Sequence, residues 1–569
     1  MTPEERYKIT SNDFADLIIA YNENQFILNQ FQPNTVQIMN DRYAIVYVPN
    51  QEINEHAIST FGYTAFPNGY ALLSQRSLDE SGVIRIRNTP IFNLRGSGVM
   101  VGIIDTGIDY TNPIFRRADG TSKILAIWDQ TIDSEDRYPE GMFYGTVYDA
   151  EQINLALQSE NPYDIVPSRD EIGHGTMMAG IAAGSEDDAN NFSGVAPDSD
   201  IVVVKLKQAK ALLREFYSIP MDVPCYQEND IMWAMQYLVS LSFQFERPLA
   251  ICIGLGTSQG SHDGRDYLSD YINVAGSIPG VAVTVAGGNE GNTRRHFYNT
   301  IDQSIGYTNV ELNVGENTPG FTMELWGAAP GIYSIEIASP SGERVPRIED
   351  SLIANREINF VFETTVIFVD YIAVEANTGD QLILMRFQNP SPGVWNFTVF
   401  GRGDIPLSFH IWLPVGPFIS SDTYFLQANP YTTITNPGNA LVPITVTAYN
   451  PLNETLYQAS GKGYTRINQV VPSLVAPGVN ILSPNLAQGF EMVTGTSAAA
   501  AHTAGITAMI LEWGVVRENY PGTSTIEAKK FLIRGARRSV SLKYPNKDWG
   551  YGMLDIYNAF NILRAGTNR

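Results

Sequence analysis

The chain is poor in cysteine, in positive charge and in long apolar runs. Its 569 residues include 2 cysteines, Cys225 and Cys252. Any disulfide framework is thereby limited to a single bridge, and neither residue stands in a metal-type or redox-type doublet, so both are expected to be buried thiols. Lys and Arg total 37 against 60 Asp and Glu, a net charge of -23. Such a balance repels phosphate backbones and anionic lipid, and it argues against nucleic acid as a partner. No apolar run approaches the roughly 18 residues of a membrane-spanning helix, so no membrane partner is expected either. Internal repeats and low-complexity tracts are absent, which sets aside solenoids and tail-like arrays. The opening MTPEERYKIT has acidic and polar residues where a Sec signal peptide needs a basic cluster and an apolar run, so the expected compartment is the cytoplasm.

Hydrophobic residues at 44% and charged residues at 17% are ordinary for a folded enzyme, and the length calls for about two to four domains. The first region, to about Tyr70, mixes a polar stretch read as helical (Asn12 to Tyr21) with a β-rich segment (Tyr43 to Val48), which suggests a small α+β unit. From Gly98 the texture changes. Val99 to Ile104, Ile201 to Leu206, Leu249 to Ile253 and Val281 to Ala286 are short, nearly continuous apolar runs of the kind buried on both faces of a parallel sheet. Asp230 to Phe243 has helical spacing behind a candidate cap at Asp230, which makes a βαβ crossover. From about Thr300 to Leu413, alternating segments separated by Gly, Pro, Asn and Ser suggest an all-β sandwich inserted into the α/β unit. Ser497 to Trp513 is Ala-rich and apolar enough for a core helix.

Three segments place reactive side chains where parallel α/β sheets collect them, just beyond strand ends. Asp105 closes a buried strand in VGIIDTGIDY, His174 stands between two glycines in DEIGHGTMMAG, and Ser497 opens the Ala-rich helix in VTGTSAAAAHTAG. Taken singly, Asp105 reads equally as a turn residue, His174 as a core histidine and Ser497 as an N-cap. Together they are the residue types that acyl transfer needs: a hydroxyl nucleophile, an imidazole to take and return its proton, and an acid to hold the tautomer. Their chain order, Asp then His then Ser, differs from the orders of chymotrypsin and of the α/β-hydrolases.

The text of DTGID, GHGTMMAG and GTSAAAAHTAG resembles the three signature segments of the subtilisin-like (subtilase) serine proteases, over roughly Ser74 to Thr300 and Thr432 to Phe560. The resemblance implies a serine endopeptidase acting on protein or peptide substrates, with Asp105, His174 and Ser497 as its triad. It also implies that Asn289, in VAVTVAGGNEG, is the oxyanion-hole amide and that Gly254, Leu255 and Gly256, in ICIGLGTSQG, line the substrate strand. The expected fold is a subtilisin-like parallel sheet with flanking helices over 76–300 and 414–569, an N-terminal α+β prodomain over 1–75, and a jelly-roll-like β domain inserted at 301–413. One departure is Ala501 where the family usually has proline, a change of rigidity and not of chemistry.

KILAIWDQTI, LGTSQGSHDG and ASGKGYTR further resemble the clostridial Csp germination proteases. That likeness implies a prodomain removed by self-cleavage within Leu72, Leu73, Ser74 and Gln75 yet retained non-covalently, a spore-associated location, and the proform of a cortex-lytic hydrolase as substrate. The alternative is a protein locked by its prodomain, or a pseudoprotease, serving as a signalling scaffold. No cofactor is required by this chemistry. Calcium, which subtilases often bind, is a candidate at Glu186, Asp187 and Asp188, although no EF-hand spacing is present. The histidines outside GHGT, namely His56, His262, His296, His410 and His502, read as surface or packing residues.

Overall fold

The computed structural model describes residues 1–54, 57–72, 81–348 and 353–566. A 9-stranded sheet forms its centre. Val281–Ala286, Leu249–Ile253, Met100–Asp105, Asp200–Lys205 and Ile124–Asp129 run parallel, side by side in that order. Ile444–Asn450 extends the parallel array beyond Val281–Ala286, followed by Leu474–Pro477. Antiparallel Thr146–Asp149 closes the far edge.

The apolar runs form these strands because both faces are covered. Every residue of Met100–Asp105 is buried, with Val101 and Ile103 turned to one core and Met100 and Ile104 to the other. The helices His174–Ala183 and Thr496–Leu511 lie on the first face, and Glu228–Phe245 covers the second. Where the first two cross, a Cβ on Gly505 would stand 2.7 Å from the carbonyl oxygen of Ala182 and 2.4 Å from Val195 Cβ. Small residues therefore set the distance between the helices that carry His174 and Ser497. Glu228–Phe245 starts earlier than its sequence suggests. Asp230 is not its cap but a fully buried first-turn residue, held by Lys207 Nζ at 2.6 Å. Cys225 and Cys252 are free and buried, and burial pushes the Cys225 thiol up to about 12.

The N-terminal region corrects another expectation. Its first helix is Pro3–Thr10, opened by a capping box between Thr2 and Glu5. The stretch read as helical at Asn12 to Tyr21 contains instead the strand Phe14–Ala20, paired antiparallel with Tyr43–Pro49, which in turn pairs with Thr35–Ile38. Long-range pairing of the apolar run FADLIIA outweighs its weak helical periodicity.

Between His296 and Phe425 the chain forms two antiparallel sheets, of 6 and 5 strands, that share one apolar core. Glu324, buried in the larger sheet, ties three parts of the chain together. Its carboxylate accepts the Tyr63 hydroxyl at 2.9 Å, the Gly260 N–H at 2.9 Å and Trp326 Nε1–H at 3.0 Å. Nearby, the Trp412 ring stacks on His262 at 4.2 Å, and on His296 and His410 at 4.9 Å each. These histidines are packing residues, as is His502, whose Nε2 lies 2.5 Å from Ser81 Oγ. His56 lies outside the described residues.

Burial lowers the pKa of His262 to about 4 and of His296 and His502 to about 3, and it holds His410 well below its ordinary value. A depressed folded-state value means that protonation favours the unfolded chain. Their stabilising contribution is therefore complete above the unfolded value of about 6.5, and each histidine loses about 1.4 kcal/mol per pH unit from there down to its folded-state value. The buried carboxyls of Glu228, Asp230, Asp266 and Glu324, raised by burial, act in the opposite sense, so the histidine share is read by difference: from pH 7 to pH 5 stability should fall more steeply, or rise less, in wild type than in His502→Gln. Equal slopes would contradict this.

Candidate active site

Asp105 ends the strand Met100–Asp105 and is fully buried. Its Oδ1 accepts the Thr106 N–H at 2.8 Å and lies 2.7 Å from His174 Nδ1. That contact assigns the Nδ1–H tautomer to neutral His174 and leaves the lone pair on Nε2. His174 is the first residue of its helix, behind Gly173 at φ +90°. Gly175 is required by proximity: a Cβ there would stand 2.1 Å from the Gly107 carbonyl oxygen. The glycines of DTG and GHG therefore let two loops meet, and the meeting brings the imidazole to the carboxylate.

Ser497 is the second residue of Thr496–Leu511, so its backbone N–H belongs to the first turn and has no partner within the helix. Its hydroxyl donates to the Gly254 carbonyl at 3.0 Å. Gly254 also adjoins the imidazole, since a Cβ on it would lie 3.1 Å from His174 Cε1. Asn289 follows the strand Val281–Ala286. Its Oδ1 accepts the Thr496 N–H at 3.3 Å and the Thr496 hydroxyl at 3.2 Å, which leaves the amide N–H groups as the donors on offer beside Ser497. Asp105, His174, Ser497, Asn289 and Gly254 thus meet at the carboxyl ends of the parallel strands, an arrangement able to activate a hydroxyl and hold an oxyanion.

Leu255–Gly256 is a short strand, but its edge is occupied by the chain's own Gly69–Leu72. Gly256 faces Ala71 and Leu255 faces Leu72, antiparallel, while Gly69 and Tyr70 pair on their other side with Gln227 and Tyr226. An extended segment held by main-chain bonds between two edges is how a sheet reads a peptide. Tyr70 is fully buried there, and the Gly69 N–H donates to Gln259 Oε1 at 2.8 Å. Glu228 clasps the same segment, accepting the Asn68 N–H at 3.1 Å, and burial together with the Asp266 carboxylate raises its pKa. Leu73, Ser74 and Gln75 lie outside the described residues.

The sequence reading missed Thr496, which orients Asn289, and the second edge at Tyr226–Gln227. An N-terminal TS pair on the serine helix was the available signal for the first; nothing local marks the second. At the candidate calcium residues, Glu186 pairs with Arg95 at 3.0 Å and Asp187 with Asn190 at 2.8 Å. Among the described residues no group of three or more His, Cys, Asp or Glu is placed to hold a metal ion.

The model described as the Subtilase family matches residues 96–310 and 421–552. Subtilisin-like protease SBT1.9 of Arabidopsis thaliana is 25% identical over 463 residues, covering 74% of this chain and 58% of that protein. Subtilisin-like protease SBT3.5 of the same plant is 24% identical over 514 residues, covering 78% and 60%. The chain therefore spans about three-fifths of the length of these relatives. Among solved structures, the Clostridium perfringens CspB protease is 32% identical with a TM-score of 0.76, over 85% of this chain and 96% of that one.

Proposed function

The chain belongs to the subtilase family, and from that premise we propose that it is a serine endopeptidase working through Asp105, His174 and Ser497. The observation that carries the reading is the buried 2.7 Å contact between His174 Nδ1 and Asp105 Oδ1, with Gly254 between the imidazole and the Ser497 hydroxyl. Ser497 Oγ turns from the Gly254 carbonyl to His174 Nε2, gives up its proton there and attacks the peptide carbonyl. The imidazolium, facing Asp105, then protonates the leaving amine, and water hydrolyses the acyl-enzyme under the same imidazole. The oxyanion is received by the Ser497 N–H and the Asn289 amide. Asn289→Ala should lower kcat by about 10²- to 10³-fold with little change in KM; a purely KM-borne loss would count against this role. Every step uses groups of the chain itself, and the reading asks for no cofactor.

The same reading makes residues 1–75 a prodomain and 301–413 an inserted jelly-roll-like domain. Gly69–Leu72 lies where a substrate strand would lie, and the pairing counts residues towards the nucleophile: Ala71 opposite Gly256, Leu72 opposite Leu255. The count ends at Leu255, which follows Gly254, the residue whose carbonyl accepts the Ser497 hydroxyl. The proposed scissile bond lies within Leu72 to Gln75. Retention of the prodomain after cutting is supported by the buried pair of Asp16 with Lys210 and by the Tyr63 bond to Glu324. These contacts also favour a second reading, a protease held inactive by its bound prodomain. The proform of a spore-cortex hydrolase as substrate rests on the Csp resemblance alone. A fluorophosphonate probe tests the chemistry: the adduct should map to the peptide containing Ser497, and a protein that stays unlabelled even after its prodomain is removed would overturn the reading.

A further inference from the structure

Asp170 carries none of the roles assigned above, yet it is buried and accepts five hydrogen bonds around the triad. Its Oδ1 takes the Thr106 hydroxyl at 2.8 Å, the Ile172 N–H at 3.1 Å and the Gly173 N–H at 2.7 Å. Its Oδ2 takes the N–H and the hydroxyl of Thr176, at 2.9 and 2.7 Å. Thr106 completes a closed circuit. Its N–H donates to Asp105 Oδ1, and its Oγ1 accepts the Gly175 N–H at 2.8 Å. His174 is thereby held from both sides, with Gly173 tied to Asp170 and Gly175 tied to Thr106. The Thr106 whose hydroxyl is fixed by Asp170 also fixes the Asp105 oxygen that faces the imidazole.

We propose that Asp170 is a positioning residue for the triad, holding the loop of Asp105 and the loop of His174 in the one relative placement that makes the Asp105–His174 bond. The inference deepens the serine protease reading and rests on it for its kinetic arm. A carboxylate is suited to the task because all five partners are donors, and a group that only accepts satisfies them together. In Asp170→Asn, one oxygen becomes an N–H2 that faces donors on Thr176 or on Thr106 and Gly173, so one of the two loops is released while side-chain volume is unchanged.

The test compares wild type with Asp170→Asn, Thr106→Val and Thr106→Ser. Each is measured for kcat and KM on a peptide substrate and for the low-field proton resonance of His174 Nδ1–H at acid pH. Asp170→Asn and Thr106→Val should lower kcat by roughly 10- to 100-fold at nearly constant KM and shift or broaden that resonance, while Thr106→Ser, which keeps the hydroxyl, should stay close to wild type in both. The urea midpoint of each variant is taken in parallel. An unmoved resonance in Asp170→Asn would overturn the proposal, as would Thr106→Ser behaving like Thr106→Val. The resonance reads the Asp105–His174 bond without any turnover, so a wild type that cleaves nothing would sink the protease reading and still leave the positioning role decided.

Discussion

Replacing Ser497 with alanine should abolish cleavage of the chain between its N-terminal unit and its catalytic sheet, and lower turnover of added peptides by about 10⁶-fold. The magnitude follows from what remains. Alanine leaves the backbone N–H of residue 497, the Asn289 amide and the strand edge at Leu255–Gly256 in place, so binding and oxyanion stabilisation persist, but no acyl-enzyme can form. Members of a triad act as one unit, so if the proposed assignment holds, removing His174 as well should add little further loss. Folding should be untouched: residue 497 follows the helix start in a run of small residues, Ala498 to Ala501, all fully buried, and the lost hydroxyl made its hydrogen bond to a carbonyl, that of Gly254. The check is kcat by a continuous peptide assay with the urea midpoint alongside. A loss below about 100-fold would show that another group is the nucleophile.

Asp105→Asn should cost about 10⁴-fold in kcat while the fold is retained. Two orientations are open to the amide, and both fail. With its oxygen in the Oδ1 place, it still accepts from Thr106 and His174 but carries no charge to face the imidazolium, in a position that water does not reach. With its N–H2 there, it donates to Nδ1, forces the proton onto Nε2 and removes the base that Ser497 needs. KM should change little, because Asp105 lies beneath His174 and touches no substrate strand. Kinetics at pH 7 decide the matter, and a loss smaller than tenfold would mean that the imidazole is oriented by something else.

Much of this site was legible in the sequence because its chemistry is carried by local motifs whose glycines record the geometry. Gly175 exists to let the Gly107 carbonyl approach, and that approach is why DTG and GHG sit together in space. The parallel strands were equally plain, since Val99 to Ile104 and its companions are apolar on both faces. What the sequence hid was non-local. The stretch around Phe14–Ala20 reads as helical in isolation because its partner strand, Tyr43–Pro49, lies beyond an intervening helix and strand. Nothing local marks Asp170, whose five donors are divided between Thr106 and the segment 172–176. The stack of His262, His296 and His410 on Trp412 joins a loop to two neighbouring strands of one sheet, and single histidines gave no hint of it. The pairing of Leu255–Gly256 with Gly69–Leu72 has no local pattern that selects it, since both strands are short; only the cleavage segment implied by resemblance, Leu72 to Gln75, pointed to that part of the chain.

The central claim, that the cleft holds its own N-terminal segment in a substrate register and cuts it, is tested most directly by the intact masses and N-termini of wild type and Ser497→Ala purified side by side. Wild type should yield two fragments that copurify, divided at a bond within Leu72 to Gln75, while Ser497→Ala remains a single chain from Met1. A wild-type chain that stays whole, or a mutant cut at the same bond, would contradict it.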